Sequence, residues 1–207
     1  MVKTFYVMRH GQTRFNLQGR IQGACDSPLT ELGIEQAKSA RQHFKKEGIT
    51  FTRVYSSTQE RACDTAELAT GRTDYIRLKG LKEMDFGSYE AHQEYLNPPL
   101  HREDGSGYRD YFVAYGGESN VQVYERMAKT IREVLEQSSD EEQLLFVSHG
   151  AAITQFYRHA TLNPPVPNKH LANCAIFKMT YDGKDIMVQS IYNPTEKEYI
   201  FEREEND

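Results

Sequence analysis

Apolar and polar positions along this chain alternate between a two-residue and a helical rhythm. Val2 to Met8 (Val-Lys-Thr-Phe-Tyr-Val-Met) is β-branched and aromatic and predicts a first strand. Thr30 to Lys46 predicts a helix, with Thr30 as N-cap and Gly48 as its stop. Phe51 to Ser56 predicts a second strand. Ser57-Thr58-Gln59-Glu60 then matches a capping box that opens a helix through Ala69, ended by Gly71. Ser119 to Gln122 offers another capping box, and Val123, Met127, Ile131 and Leu135 form one stripe suited to packing on a sheet. The run Gln143 to Val147, apolar from Leu144, predicts a buried parallel strand. A helix from about Ala151 to His159 follows and stops before Pro164-Pro165. Ala175 to Tyr181 and Ile186 to Tyr192 read as a final hairpin around Asp182-Gly183. Strand and helix patterns in this order predict an α/β fold with a largely parallel sheet.

Two segments break the rhythm. Residues 91–117 are rich in Tyr, Gly and Pro and keep no period, which predicts a long excursion over the sheet, and loops of that length are often lids. Its tyrosines, with Tyr89 just before them (Tyr89, Tyr95, Tyr108, Tyr111, Tyr115), fit either a substrate-shaping lid or plain loop packing. The acidic end (Glu202, Glu204, Glu205, Asp207) reads as a solvated tail.

Length and composition narrow the class. A chain of 207 residues fits a single domain spanning 1–207, and 38% hydrophobic content is enough for a packed core. No stretch approaches the ~20 apolar residues of a membrane helix, and the N-terminus lacks a secretory pattern. Cys25, Cys63 and Cys174 are odd in number and share no metal-type spacing, which suggests reduced thiols and a cytoplasmic setting. The net charge of −5 argues against nucleic acid as a partner, so an anion site must be a local basic pocket.

Such a pocket is written into the strand ends. Arg9-His10-Gly11 follows the first strand, and Ser148-His149-Gly150 repeats the same chemistry after the Leu144 strand. Arg61 falls in the first turn of the helix after the second strand. Ligands of open α/β sheets bind beyond the carboxyl ends of the strands, where all three clusters lie. Two arginines, two histidines and two helix N-termini describe a phosphate pocket, since guanidinium forks and free helix amides both suit phosphate. Phosphate binding alone needs no imidazole. A neutral histidine can attack phosphorus and divide one hard displacement into two easier ones. The leaving alkoxide then needs an acid, for which Glu83 is preferred and Asp85 is the reserve.

The residues in order resemble the histidine phosphatase superfamily, also called the phosphoglycerate mutase-like family. The likeness runs through Arg9-His10-Gly11-Gln12-Thr13 with Asn16, Gln22-Gly23, Asp26-Ser27-Pro28-Leu29-Thr30 with Gly33 and Gln36-Ala37, and Ser56-Ser57 with Arg61-Ala62 and Thr65-Ala66. It continues through Glu83 with Phe86-Gly87, Gly117-Glu118-Ser119 and Ser148-His149-Gly150, and leaves 91–116 without a counterpart. The resemblance implies a three-layer fold with helices on both faces of a mostly parallel sheet. It implies His10 as the phosphorylated nucleophile, Glu83 as proton donor, and Arg9, Arg61 and His149 around the phosphate. It further implies Asn16 as a phosphate ligand, Gln22 and Gly23 on the substrate side, and a backbone donor at Gly150. Phe15 and Tyr89 stand where tryptophan is frequent, and Ala91 where glycine is, which bears on substrate fit rather than chemistry.

His10, His149 and Glu83 could also be metal ligands, but two arginines at the same point would repel a cation, so no metal and no cofactor are expected. His43, His92, His101, His159 and His170 lack motif support and read as structural. The leading expectation is hydrolysis of a small phosphorylated metabolite through phospho-His10, with neither nucleic acid nor membrane as partner. A phosphoglycerate mutase is the first alternative. The mutases that use a bisphosphate cofactor carry an Arg-rich insertion, whereas this region has only Arg102 and Arg109. A phospho-ligand binding protein without turnover is the second. The sequence carries no signal that decides oligomeric state, and a homodimer is open.

Overall fold

Alternation along the first strand sorts its side chains onto two faces, and two hydrophobic layers grow from that split. A computed structural model describes residues 2–101, 104, 106–167, 169 and 171–204. Arg102, His170, Glu205 and Asp207 lie outside the described residues. Strand β1 (Lys3–Arg9) sends Phe5 and Val7 to one side and Tyr6 and Met8 to the other, all buried. Phe5 and Val7 join α4 (Asn120–Gln137) and α5 (Gly150–Ala160), where Val123, Met127, Ile131 and Leu135 are fully buried as one stripe. Tyr6 and Met8 join α2 (Glu31–Lys46) and α3 (Glu60–Thr70) through Ala40, Phe44, Ala62 and Ala66.

Among the described residues the sheet has seven strands in the order β3-β2-β4-β1-β5-β6-β7. Strands β3 (Ile76–Arg77), β2 (Arg53–Ser56), β4 (Leu144–Ser148) and β1 pair in parallel. Strands β5 (Ile176–Tyr181), β6 (Ile186–Asn193) and β7 (Glu198–Glu202) add an antiparallel flank, so the sheet is mixed. Pairing of Arg9 with Ser148 sets the ends of β1 and β4 level, which brings His10 and His149 side by side.

The local signals fare unevenly. Thr30 caps α2 by accepting from the Gly33 amide at 3.0 Å, and Ser119 with Gln122 closes the capping box of α4. The capping box expected at Ser57 is absent: α3 starts at Glu60 after Gln59, with no side-chain cap of its own. Asp26 replaces it from another loop, its Oδ2 accepting from the Glu60 amide at 2.6 Å. The single turn α1 (Arg14–Leu17), two-residue β3 and β7 were not anticipated, because each is too short or too polar to show a period. Strand β7 takes Glu198–Glu202 out of the expected hairpin-and-tail picture; Phe201 pairs with Ile191.

The described part of the 91–117 excursion is anchored. Phe112 is fully buried among Phe86, Tyr89, Tyr108 and Tyr111, with ring centroids 4.9–5.4 Å away. The hydroxyls of Tyr89 and Tyr111 meet at 2.8 Å, whereas Tyr95 stays 81% exposed. Most of the tyrosines thus serve packing. Ala91 has φ 65°, the left-handed region where a Cβ is strained, which is a physical reason for glycine to be frequent there. Phe112→Ala is expected to lower stability by about 3–5 kcal/mol, the usual result of emptying an aromatic site, measured by urea unfolding.

Candidate active site

The turn after β1 is held by a side-chain hydrogen bond and by close backbone packing. The Gly11 amide donates to Thr65 Oγ1 at 3.0 Å, and a Cβ on Gly11 would lie 2.5 Å from the Gly33 carbonyl oxygen. Helix α2 therefore rests directly on the turn that presents His10. His10 is 3% exposed, and its Nδ1 lies 2.7 Å from the Gly11 carbonyl oxygen. A carbonyl only accepts, so Nδ1 carries the proton and Nε2 keeps a free lone pair.

His149 is fully buried, with its ring centroid 5.1 Å from that of His10. Arg61 Nε donates to its Nδ1 at 3.1 Å, which places the His149 proton on Nε2. That Nε2 is buried and has no hydrogen-bond partner. One ring thus offers a lone pair and the other an unspent donor. Burial, reinforced by the positive charges of Arg61 and Arg9, holds His10 well below the ordinary histidine value. Burial likewise holds His149 low, with Arg61 the next cause.

Arg61 departs from the expectation of a free guanidinium fork. It is fully buried, and every nitrogen already donates to the protein. Nη1 reaches the Cys25 carbonyl at 2.9 Å and Asp26 Oδ1 at 2.8 Å; Nη2 reaches the carbonyls of Gly23 at 3.0 Å and Gln22 at 3.3 Å. Arg61 supplies charge and fixes His149, and keeps no donor for a ligand in this arrangement. Gln22 and Gly23 thus hold Arg61 through their carbonyls. The Gln22 carboxamide is buried against Thr13 and Ser27. Arg9 is different: Nη1 donates to the Leu171 carbonyl at 2.7 Å, while Nε is buried and unpartnered. A Cβ on Gly150 would stand 3.1 Å from that Nε, so the glycine makes room for the guanidinium.

Neither helix N-terminus is open in the way the sequence suggested. Asp26 takes the first amide of α3. Glu83 takes the start of α5, with Oε2 accepting from Ala151 at 3.0 Å and Oε1 from Ala152 at 2.8 Å and Met84 at 2.9 Å. Three backbone donors on two oxygens leave room for a fourth partner on Oε2. Glu83 thereby binds the amides two and three residues beyond His149. Asp85 spends Oδ1 on the Gly87 amide, leaving Glu83 as the carboxyl joined to the histidine turn.

Asn16 Oδ1 accepts from the Thr13 amide at 3.1 Å and from Asn173 Nδ2 at 3.4 Å, and no protein acceptor takes Asn16 Nδ2 among the described residues. Sequence reasoning missed Asn173, which also donates to the His10 carbonyl at 3.1 Å, because no motif surrounds it. It missed the roles of Asp26 and Gln59 too. Gln59 donates to the Gly23 carbonyl and accepts from the Glu83 amide at 2.9 Å, yet in sequence it reads as a helix-start residue. Among the described residues, no three His, Cys, Asp or Glu side chains group as metal ligands. No helix of the described residues is long and apolar enough to cross a membrane.

Comparison with known proteins now decides the family. The model of the histidine phosphatase superfamily, branch 1, matches residues 5–194. This chain belongs to the histidine phosphatase superfamily. It is 34% identical over 186 residues to a probable phosphoglycerate mutase of Proteus mirabilis, covering 86% of this chain and 85% of that one. It is 31% identical over 168 residues to a metal-independent phosphoserine phosphatase of Arabidopsis thaliana, covering 77% and 69%. The crystal structure of a phosphoglycerate mutase from Bacillus anthracis superposes with a TM-score of 0.76 at 26% identity, over 91% of this chain and 92% of that one.

The depressed histidines give a pH signature for this member of the superfamily. Unfolded imidazoles titrate near 6.5, so below that pH the unfolded chain binds protons that the native site refuses. Stability is then full above about pH 6.5 and falls as pH drops toward the low native values. Urea unfolding at about pH 7.5 and about pH 5.5 should show this loss, and His10→Ala should lose less over the same interval.

Proposed function

We propose that the chain is a metal-independent phosphomonoesterase that works through phospho-His10 on a small phosphorylated metabolite. The observation that carries this reading is the pairing of a bare His10 Nε2 with the unpartnered His149 Nε2 donor in one buried site. The lone pair of His10 Nε2 attacks phosphorus, and the ester P–O bond breaks. The departing alkoxide takes a proton from the Glu83 carboxyl, at the oxygen that keeps an open position. Water then attacks the phosphohistidine, Glu83 recovers a proton from that water, and inorganic phosphate leaves with His10 restored. During both transfers the equatorial oxygens face His149 Nε2, Arg9 Nε and Asn16 Nδ2, donors that the folded protein leaves unspent. Arg61 stabilises the same charge from behind His149 through its field.

A mutase is the second reading, favoured by the name of the Proteus relative. Against it, Arg109 is committed to Asp104 at 3.0 Å and Ser106 at 3.1 Å instead of facing a second acidic group of a substrate. Supplying 3-phosphoglycerate with 2,3-bisphosphoglycerate separates the two: rapid isomer exchange without phosphate release would establish the mutase. Binding of phosphate or vanadate with no turnover of any monoester would instead establish a binding protein.

His10→Ala is expected to abolish phosphate release with the circular dichroism spectrum retained, since the side chain supplies the nucleophile and little of the core; near-normal release would refute the assignment. Glu83→Gln tests the acid. It puts an amide NH₂ among backbone donors, so activity should fall somewhat on all substrates. Alkyl phosphates should lose about 10²-fold more than p-nitrophenyl phosphate, whose leaving group needs little protonation. Equal losses would remove Glu83 from that role.

A further inference from the structure

Residues 22–26 form a ribbon with an anion on one edge and a cation on the other. On the N–H edge, Glu90 accepts from four backbone amides: Gly23 and Cys25, both at 3.0 Å, on Oε2, and Ala24 at 2.8 Å and Phe86 at 2.9 Å on Oε1. On the C=O edge, the carbonyls of Gln22, Gly23 and Cys25 accept from Arg61. In a trans peptide the N–H and C=O point in opposite directions. The peptide units 22–23 and 23–24 therefore each donate to Glu90 and accept from Arg61. Every such bond has a charged partner, and bonds in series polarise one another. Gly23 has no room for a Cβ, because the Met84 carbonyl, Glu90 and the Phe86 ring crowd its Cα.

We propose that Glu90 is a positioning residue for phosphoryl transfer: it locks the 22–26 ribbon, the ribbon locks Arg61, and Arg61 fixes the tautomer and place of His149. The inference deepens the proposed function and rests on it. Glu90 touches no reacting atom. Its effect on Arg61 and His149 runs through the carbonyl cradle, while Asp26 secures the remaining Nη1 contact at 2.8 Å. Its location adds a consequence. The next residue, Ala91, opens the 91–117 excursion, its amide donating to the Ile21 carbonyl and its carbonyl accepting from Arg20 Nη1 at 3.0 Å. The base of the excursion and the phosphate pocket thus share one carboxylate.

Glu90→Gln keeps the size but turns an NH₂ toward amide donors, which splays the ribbon. On p-nitrophenyl phosphate, kcat should fall by about 10²-fold with KM changed less than about 3-fold, the pattern of a misplaced transition-state contact. Orthovanadate affinity should fall in parallel with kcat, and inorganic phosphate affinity much less. The decisive arm is a double-mutant cycle with Arg61→Ala. In that background Glu90→Gln should change kcat and vanadate affinity by less than about 2-fold, because the route is already cut. An unchanged kcat in Glu90→Gln, or the same fold loss with and without Arg61, would overturn the proposal and leave Glu90 a fold-stabilising residue. If Glu90→Gln does not fold, Glu90→Asp enters the same cycle, since its shorter carboxylate cannot reach all four amides. Wild-type protein that binds vanadate but releases no phosphate fails the proposed function alone; the vanadate arm still reads the placement of Arg61.

Discussion

A guanidinium with no exposed surface organises this site. Removing Arg61 from water costs several kcal/mol unless its charge and all its donors are met. The fold meets them with three carbonyls of one loop, the carboxylate of Asp26 and the Nδ1 of His149. The requirement runs outward from there. The loop must turn its carbonyls inward, so Gly23 must lack a side chain. Asp26 must serve both Arg61 and the start of α3, so α3 needs no capping residue of its own.

The same economy shapes the histidines. His10 and His149 are buried in a field set by Arg61 and Arg9, which disfavours further positive charge on either ring. Their hydrogen bonds then differ by necessity. A carbonyl acceptor on His10 bares Nε2, and a guanidinium donor on His149 leaves Nε2 protonated. Two chemically identical side chains take complementary roles because their neighbours differ in kind.

Glu83 ties the acid to the helix that carries His149. Its two carboxyl oxygens accept from the Ala151 and Ala152 amides at the start of α5. Movement of that helix start would displace the candidate acid and His149 together. The membership of the chain in a superfamily that includes both mutases and phosphatases fits this division of labour. On the proposed reading, the same pocket could serve either reaction, and what surrounds it would select the acceptor.

What the sequence determined by itself was the address and the cast. Strand-terminal Arg9-His10-Gly11 and Ser148-His149-Gly150, and Arg61 soon after the second strand, are local signals, readable because short apolar strands fix where a chain turns. The stripe Val123 to Leu135 and the caps at Thr30 and Ser119 were legible for the same reason, being set within a few residues. Tertiary structure decided the hydrogen-bond partners. Asp26 capping α3 from 34 residues away, Glu83 capping α5 from 68 and 69 away, and Asn173 reaching His10 across 163 positions have no local signature. Whether Arg61 offers its fork to a ligand or spends it on the protein depends on which carbonyls the fold brings within 3.3 Å. Donor and acceptor pairing over such separations is fixed by packing, and periodicity in a sequence carries no record of it.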